Sequence, residues 1–82
     1  MSREIILKKV GQYCRNFRIE VLTATLEQVA NGTNIKTLSG FEHGRSNNLL
    51  HVLKYLEYCS DNATRNLFLN GLCEVLEGVN NE

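Results

Sequence analysis

Proline is absent from the 82 residues of this chain, and no apolar run approaches the length of a membrane-spanning helix. Because proline interrupts helices and is frequent in turns, its absence favours a helical fold over a loop-rich or all-β fold. A membrane span needs about 18 or more consecutive apolar residues, so we expect none. The segment that follows Met1 is amphipathic and charged, unlike the apolar core of a signal peptide, and we therefore expect a cytoplasmic protein.

Paired metal ligands are missing too. The three cysteines, Cys14, Cys59 and Cys73, are widely spaced, whereas a zinc site uses cysteines or histidines a few residues apart. We interpret them as buried thiols in a reducing compartment. A chain this short has little room for a cofactor cavity, and the acids Glu27 and Glu42 have no obvious catalytic partner. The sequence therefore predicts no metal, no cofactor and no enzymatic activity.

The charges of the chain sum to zero but are unevenly distributed. Residues 1–46 hold seven Lys or Arg and four Asp or Glu, which gives a net charge of +3. Residues 47–82 hold two Lys or Arg and five Asp or Glu, which gives −3. This polarity predicts one face that meets phosphate and another face that meets a different partner.

Apolar residues at three- and four-residue intervals predict five amphipathic helices in a single all-α domain over residues 1–82. We expect four helices within residues 3–60, a fifth within 61–77 and a polar tail at 78–82. The expected helices cover about residues 3–20, 25–30, 34–43, 49–58 and 63–76.

The same intervals predict the inward face of each helix, and polar residues predict the caps. Thr23 or Thr25 can cap the second helix and Asn34 the third, while Asn31 and Gly32 tolerate the positive φ of a turn between them. From the first helix to the fifth, the expected inward residues are Ile6, Val10, Cys14, Phe17 and Val21; Leu26, Val29 and Ala30; Ile35, Leu38 and Phe41; Leu49, Val52, Leu53 and Leu56; and Phe68, Leu72, Val75 and Leu76.

The fifth helix is apolar around more of its circumference than a monomer of this size can bury. Leu67, Leu69, Cys73 and Leu76 lie at or beyond the edge of the inward stripe. Two interpretations are open: these four residues form a dimer contact, or the helix is buried more deeply within the domain.

The segment around the second and third helices is the most informative for function. Two short helices joined by a tight turn, the second with small polar residues facing outward, suit a DNA major groove, which is about 12 Å wide and admits one helix. At the start of the third helix, Thr33, Asn34, Lys36 and Thr37 carry hydrogen-bonding groups that suit base edges. The pattern predicts a helix-turn-helix that binds double-stranded DNA.

Residues 32–45, GTNIKTLSGFEHGR, resemble the third helix of the Cro/repressor (XRE-type) helix-turn-helix family of phage and prophage regulators. The matching positions are Leu38, Phe41, Glu42, Gly44 and Arg45. The resemblance covers roughly residues 7–58 and implies a compact five-helix, lambda-repressor-like domain.

The first and fourth helices share in this resemblance. Val10 and Gly11, followed by Arg15 and Arg18, are similar to the family pattern in the first helix, and residues 49–56 match the fourth. In the family, the arginine at the position of Arg18 pairs with the glutamate that closes the third helix. The resemblance therefore implies an ion pair between Arg18 and Glu42 that fixes geometry more than it adds stability.

The resemblance also implies which residues meet DNA. The third helix reads bases, and the loop that follows it contacts phosphates together with a cation of the first helix. The DNA-binding residues expected on these grounds are Thr33, Asn34, Lys36, Thr37, Ser39, Gly40, Arg45, Ser46, Asn47 and Arg15.

The second helix departs from the family pattern. Aligned without gaps from Thr23, the buried Leu-Ala pair of the family falls on Glu27 and Gln28. Aligned on Val29 and Ala30, the pair is apolar, but the turn that follows is two residues short. We prefer the second register because burial decides register.

Two polar positions of the family also differ. Ala24 or Leu26 stands where the family has a glutamine, so the DNA contact that this glutamine makes in the family is not carried over to this chain. His43 stands where asparagine is usual, and asparagine holds left-handed geometry with less strain.

These patterns predict a sequence-specific DNA-binding regulator of the repressor type that binds an inverted repeat as a homodimer. The alternative is a protein-interaction module with the same fold that binds another regulator or a host protein. The alternative is motivated by the zero net charge, the acidic second half and the apolar fifth helix.

Overall fold

The computed structural model describes the backbone of residues 3–80 and the side chains of residues 3–78. Within this part of the chain, five α-helices and no strand are present, which confirms the all-α class. A π-helical turn at Arg18–Leu22 follows the first helix, and a 3-10 turn at Leu49–His51 precedes the fourth. The helices are α1 (Arg3–Phe17), α2 (Leu26–Ala30), α3 (Ile35–Glu42), α4 (Val52–Tyr58) and α5 (Asn62–Asn80).

α1 is the central helix, packed against α3 on one flank and α5 on another. Its residues Val10, Cys14 and Phe17 are buried in a core to which all five helices contribute. The rings of Phe17 and Phe68 meet edge to face with their centroids 5.0 Å apart, which holds α5 on α1. The other buried core residues are Ala24, Val29, Ala30, Leu38, Phe41, Tyr55 and Cys59.

Gly11 allows α1 to approach the end of α3 closely. A Cβ at this position would overlap the carbonyl oxygens of Phe41 and Glu42. The two backbones can be in contact because glycine has no side chain there. The glycine of the first-helix pattern thus has a packing role in this fold.

The prediction that the first helix runs to about residue 20 with Val21 facing inward is wrong. After Phe17 the backbone widens into the π-helical turn, whose hydrogen bonds span one residue more than those of an α-helix. The wider turn rotates the chain, so Leu22 packs against the core while Val21 is exposed. Thr23 ends the turn in the left-handed conformation, with a φ of 47°.

α2 adopts the register that burial favours. The hydroxyl of Thr25 accepts a hydrogen bond from the backbone N–H of Gln28 at 3.1 Å, and the side chain of Gln28 accepts one from the backbone N–H of Thr25 at 2.9 Å. This reciprocal pair is a capping box. Val29 and Ala30 are buried while Glu27 is exposed, so the preferred register is confirmed.

The inward face of α3 is correct at two of its three predicted residues. Leu38 and Phe41 are buried, but Ile35 is 43 % exposed. Side chains of a helix lean towards its N-terminus, and Ile35 is the first residue of α3, so no preceding turn lies beneath it.

The predicted inward stripe of the fourth helix is wrong at Leu49 and Leu53, which are exposed. The prediction assumes α-helical spacing from Leu49 onwards, whereas the chain begins with a 3-10 turn of about three residues per turn. The change of period turns Tyr55 into the core, where Val52 and Leu56 pack beside it.

α5 begins after Asp61, whose side chain caps it by accepting a hydrogen bond from the backbone N–H of Thr64 at 2.7 Å. The helix continues to Asn80, so the predicted tail is wrong for residues 78–80, while residues 81–82 lie outside the described part of the chain.

Among the described helices, none combines the length and the apolar character that a membrane crossing requires.

Candidate nucleic-acid interface

The outer face of α3 is polar and open to solvent. Lys36 and Thr37 are exposed, and Gly40 follows on the same arc, one turn after Lys36. The opposite face carries the buried residues Leu38 and Phe41. α3 therefore presents hydrogen-bonding side chains outward from an apolar attachment to the core.

The residues that flank this face are partly engaged within the protein. Asn34 caps α3, because its Oδ1 accepts a hydrogen bond from the backbone N–H of Lys36 at 2.8 Å. The amide NH₂ group of Asn34 and the second lone pair of its Oδ1 are left to contact a base. Thr33 and Ser39 are partly buried, so they can take part only at the edge of the surface.

The end of α3 is fixed by the carboxylate of Glu42, which is only 3 % exposed. Arg18 donates to both oxygens, from Nε at 2.8 Å and from Nη2 at 3.0 Å, and the hydroxyl of Tyr55 donates to Oε2 at 2.7 Å. Arg18 also donates from Nη1 to the carbonyl oxygen of Ala24 at 3.0 Å. The pair implied by the sequence resemblance is therefore present. It joins the end of α1, the approach to α2, α3 and α4.

The pKa shifts in this cluster favour a charged Arg18 guanidinium and a protonated Tyr55 hydroxyl, which are the forms that donate hydrogen bonds to Glu42. The hydrogen bond to Glu42 raises the pKa of the Arg18 guanidinium, which keeps that group charged. Burial, and then the hydrogen bond to Glu42, raise the pKa of the Tyr55 hydroxyl, which keeps it a donor. Tyr55 is not among the partners that the sequence predicts for Glu42. The available signal was its place between Val52 and Leu56 on one side of α4.

Gly40 is a glycine that the fold itself does not require. Its φ is not positive, and a Cβ built on it would meet no heavy atom within 4 Å other than those of its chain neighbours and the backbone of α3. Glycine inside a helix is less stable than alanine by roughly 0.5–1 kcal/mol. The open surface at Gly40 therefore suits a ligand that approaches the backbone of α3 closely.

The loop after α3 carries the predicted phosphate ligands. Arg45 and Asn47 are exposed, and Ser46 is partly buried because its hydroxyl accepts a hydrogen bond from the backbone N–H of Asn48 at 3.1 Å. His43, which replaces the usual asparagine, has a φ of −95° and so avoids the left-handed region.

α1 adds cations on the flank that faces the end of α3. Arg15 is exposed there, and Lys8 lies two turns earlier on the same face. Lys8 packs beside Gly44, where the φ of 77° favours glycine and an added Cβ would overlap the lysine. Lys8 is not among the DNA-binding residues expected from the sequence, although its seven-residue spacing from Arg15 was an available signal.

The four predicted dimer-contact residues of α5 are all exposed, so the predictions that Leu76 faces inward and that Cys73 is a buried thiol are wrong. The four residues do not form one surface. Leu69, Cys73 and Leu76 follow one another at intervals of four and three residues and share a flank of the helix. Leu67 lies about half a turn from Leu69 and faces the opposite flank, next to Val21. A contact through α5 can therefore use only the first three together.

Comparison with known proteins returns no matching family model, no matching curated protein and no matching solved structure. The resemblance to the Cro/repressor family therefore depends on the residues quoted above.

Among the described residues, no group of three or more His, Cys, Asp or Glu side chains is placed to hold a metal ion.

Proposed function

We propose that this chain is a sequence-specific DNA-binding transcriptional regulator of the Cro/repressor helix-turn-helix type, and that α3 reads the major groove. The observation that carries the proposal is the outer face of α3, which is polar, exposed and open to close approach at Gly40. A helix used in this way must be held rigidly, and the cluster around Glu42 provides that attachment.

Each side chain of this face has a chemical role in the proposal. Lys36 can donate to the O6 and N7 acceptors of guanine, and Thr37 can meet a polar edge or a thymine methyl group. Arg45 and Asn47 contact phosphates from the loop after α3, and Arg15 contacts them from α1. Phosphate contacts give affinity that falls with salt, whereas the base contacts give specificity.

The charge distribution supports the same face. One of the four anions within residues 1–46, Glu42, is buried and paired with Arg18. The remaining cations of this half include Lys36, Arg45 and Arg15, which are exposed. Their field attracts a polyanion, and the acidic second half is left for other contacts.

The substitution Gly40→Ala tests the proposal because it separates stability from binding. We expect the variant to be more stable by roughly 0.5–1 kcal/mol, since alanine is the better helix residue and the fold has room for it. We expect its DNA affinity to fall about tenfold or more, which corresponds to about 1.4 kcal/mol, because the methyl group enters the contact surface.

Gly78→Ala is the matched control, since Gly78 is also helical and a Cβ there also meets nothing within 4 Å. It should gain similar stability and keep full DNA affinity. Denaturant unfolding and fluorescence anisotropy with a duplex at about 150 mM salt measure the two properties. Equal DNA affinity of Gly40→Ala and Gly78→Ala would contradict the proposed contact surface.

A protein-interaction module is the second candidate, and exposed leucines favour it. Leu49, Leu50 and Leu53 lie exposed at the start of α4, and Leu50 reaches 68 %. Contiguous apolar surface of this kind marks protein contacts. If Lys36→Ala and Arg45→Ala leave the biological activity unchanged while Leu50→Asp abolishes it, the protein-contact function is correct and the DNA-reading function is not.

A further inference from the structure

A groove runs between α1 and α5 on the flank that carries Leu67. Two adjoining cavities of about 620 and 370 Å³ form it, and they share the lining residues Tyr13, Asn16 and Glu74. The groove extends from Lys8 to Val21, about 13 residues along α1 and its π-helical turn, or about 20 Å. That length corresponds to between three and four turns of an α-helix.

The floor of the groove is apolar and firmly held. The ring of Tyr13 lies in its middle, and its hydroxyl is used within the protein, because it donates to the carbonyl oxygen of Phe68 at 2.7 Å. Gly71 lies against this ring so closely that a Cβ would overlap it. Val75 lies towards one end of the floor, and Leu67, which is 55 % exposed, towards the other. An occupant would bury apolar area without displacing any hydrogen bond of Tyr13.

The charges along the groove change sign from one end to the other. Lys8 and Lys9 line the first end, beside Gly78 of α5. Glu74 lines the middle, and Glu20 lines the second end. A bound segment is therefore oriented by charge, with anions favoured at the lysine end and cations favoured at the glutamate end.

We infer that this groove binds an amphipathic helix of a partner protein, three to four turns long, with an acidic first turn and a basic last turn. The apolar floor suits anchors at i, i+4 and i+7 of such a helix. Acidic residues near the N-terminus and basic residues near the C-terminus also stabilise an isolated helix through its dipole. One charge order thus favours both the folding of the partner segment and its fit to the groove.

A second copy of this chain does not suit the groove as well. If the grooves of two copies faced each other, their concave floors would not be in contact. The apolar flank of α5 formed by Leu69, Cys73 and Leu76 can enter the groove of another copy only in a head-to-tail arrangement, which generates rings or open chains instead of a two-fold dimer. The inference does not depend on DNA binding, because the groove contains none of Lys36, Thr37 and Gly40, and Lys8 is the residue that borders both surfaces.

The test begins with a displayed library of 14-residue amphipathic peptides, in which the apolar anchors and the charges of the first and last turns are varied, selected on the folded protein. We expect the selected peptides to converge on acidic first turns and basic last turns. The best peptide and a twin with its terminal charges exchanged are then compared by fluorescence anisotropy. We expect the twin to bind about tenfold more weakly or worse, a difference of about 1.4 kcal/mol.

Variants locate the site. Gly78→Leu places a side chain in the open end of the groove without a clash in the fold, so it should weaken peptide binding at least about tenfold. Asn66→Leu adds the same bulk at an exposed position of α5 outside the groove and should leave binding unchanged. Glu20→Lys should reduce the preference for the peptide over its twin.

Four results would overturn the inference: no peptide is enriched, the charge order is random, Gly78→Leu binds as well as the unmodified protein, or NMR shift changes centre on Leu49 to Leu53 instead of the groove. Self-association that Gly78→Leu removes would also overturn it, because the groove would then hold a second copy. DNA affinity should be the same in the unmodified protein and in Gly78→Leu. The failure of this inference is therefore distinct from a failure of the proposed function.

Discussion

At the scale of single residues, Glu42 connects most of what holds the candidate interface in place. It is the buried charged side chain of the described residues, and both of its oxygens are bonded. A buried ion pair adds little net stability, because desolvation offsets the attraction. Its value here is geometric, since Arg18 and Tyr55 fix the end of α3 relative to α1 and α4.

The substitution Glu42→Ala should destabilise the domain by about 3–5 kcal/mol, because it leaves the Arg18 charge and the Tyr55 hydroxyl without their partner. A domain of this size has little stability to lose, so we expect partial unfolding at 37 °C. Denaturant unfolding measures the loss. Glu57→Ala, an exposed change on α4, is the control and should stay within about 0.5 kcal/mol. A loss below about 1 kcal/mol for Glu42→Ala would show that the cluster does not hold the fold.

At the scale of elements, periodicity and resemblance predict different parts of this molecule. The three-and-four spacing predicts five helices and places Val10, Cys14 and Phe17 in the core correctly, since burial of one face is a local property of each segment. The Arg18–Glu42 pair lies 24 residues apart and could be expected only from the family resemblance.

The parts that the sequence does not predict depend on contacts from other elements. The π-helical turn begins at Arg18, which donates hydrogen bonds both to Glu42 and to the carbonyl oxygen of Ala24. The spacing of apolar residues along the chain does not indicate these contacts. In the core, the hydroxyl of Tyr55 donates a hydrogen bond to Glu42, which lies on a different helix. Propensity and period describe one element at a time, so such tertiary effects override them.

The cap of α5 gives a prediction at this scale. Hydrogen bonds from Thr64 hold the pKa of the Asp61 carboxyl below its ordinary value of 3.8. Because the folded-state pKa is the lower one, the ionised cap stabilises the fold above pH 3.8, and this contribution is lost as the pH falls through the folded-state pKa. Asp61→Ala should therefore unfold at a lower temperature at neutral pH, and the difference should shrink in acid.

Asp61→Asn separates charge from capping, because asparagine caps helices without titrating. Calorimetry should show that its stability lacks the acid-dependent step of the unmodified protein. A constant gap between Asp61→Ala and the unmodified protein across the acid range would contradict the assigned role of the carboxylate.

At the scale of the whole molecule, two surfaces lie on different helices: the proposed DNA-reading face on α3 and the apolar flank of Leu69, Cys73 and Leu76 on α5. We propose that this flank of α5 is the dimer contact. In a two-fold dimer, a residue near the axis faces the same residue of the second copy. Cys73 lies at the middle of the flank and would take this place, and Leu69 would then lie opposite Leu76 of the second copy.

The dimer contact can be tested by oxidative cross-linking. We expect a disulfide-linked dimer through Cys73, because Cys73 is exposed whereas Cys14 and Cys59 are buried. Burial also raises the pKa of the Cys14 and Cys59 thiols, which disfavours the reactive thiolate. Cys73→Ser should abolish the product and leave the reduced oligomeric state unchanged. A sedimentation result of monomer at the concentrations used for DNA binding would contradict this contact.

The most direct test of the central claim is selection of the purified protein on a randomised duplex library at about 150 mM salt, followed by sequencing of the bound pool. A specific binder should exceed non-specific binding by about 10³-fold or more. We predict an enriched palindromic motif whose half-sites lie about one helical turn, 34–36 Å, apart, with weaker enrichment in Gly40→Ala and full enrichment in Gly78→Ala. No enrichment by a protein that is folded and helical would contradict the account.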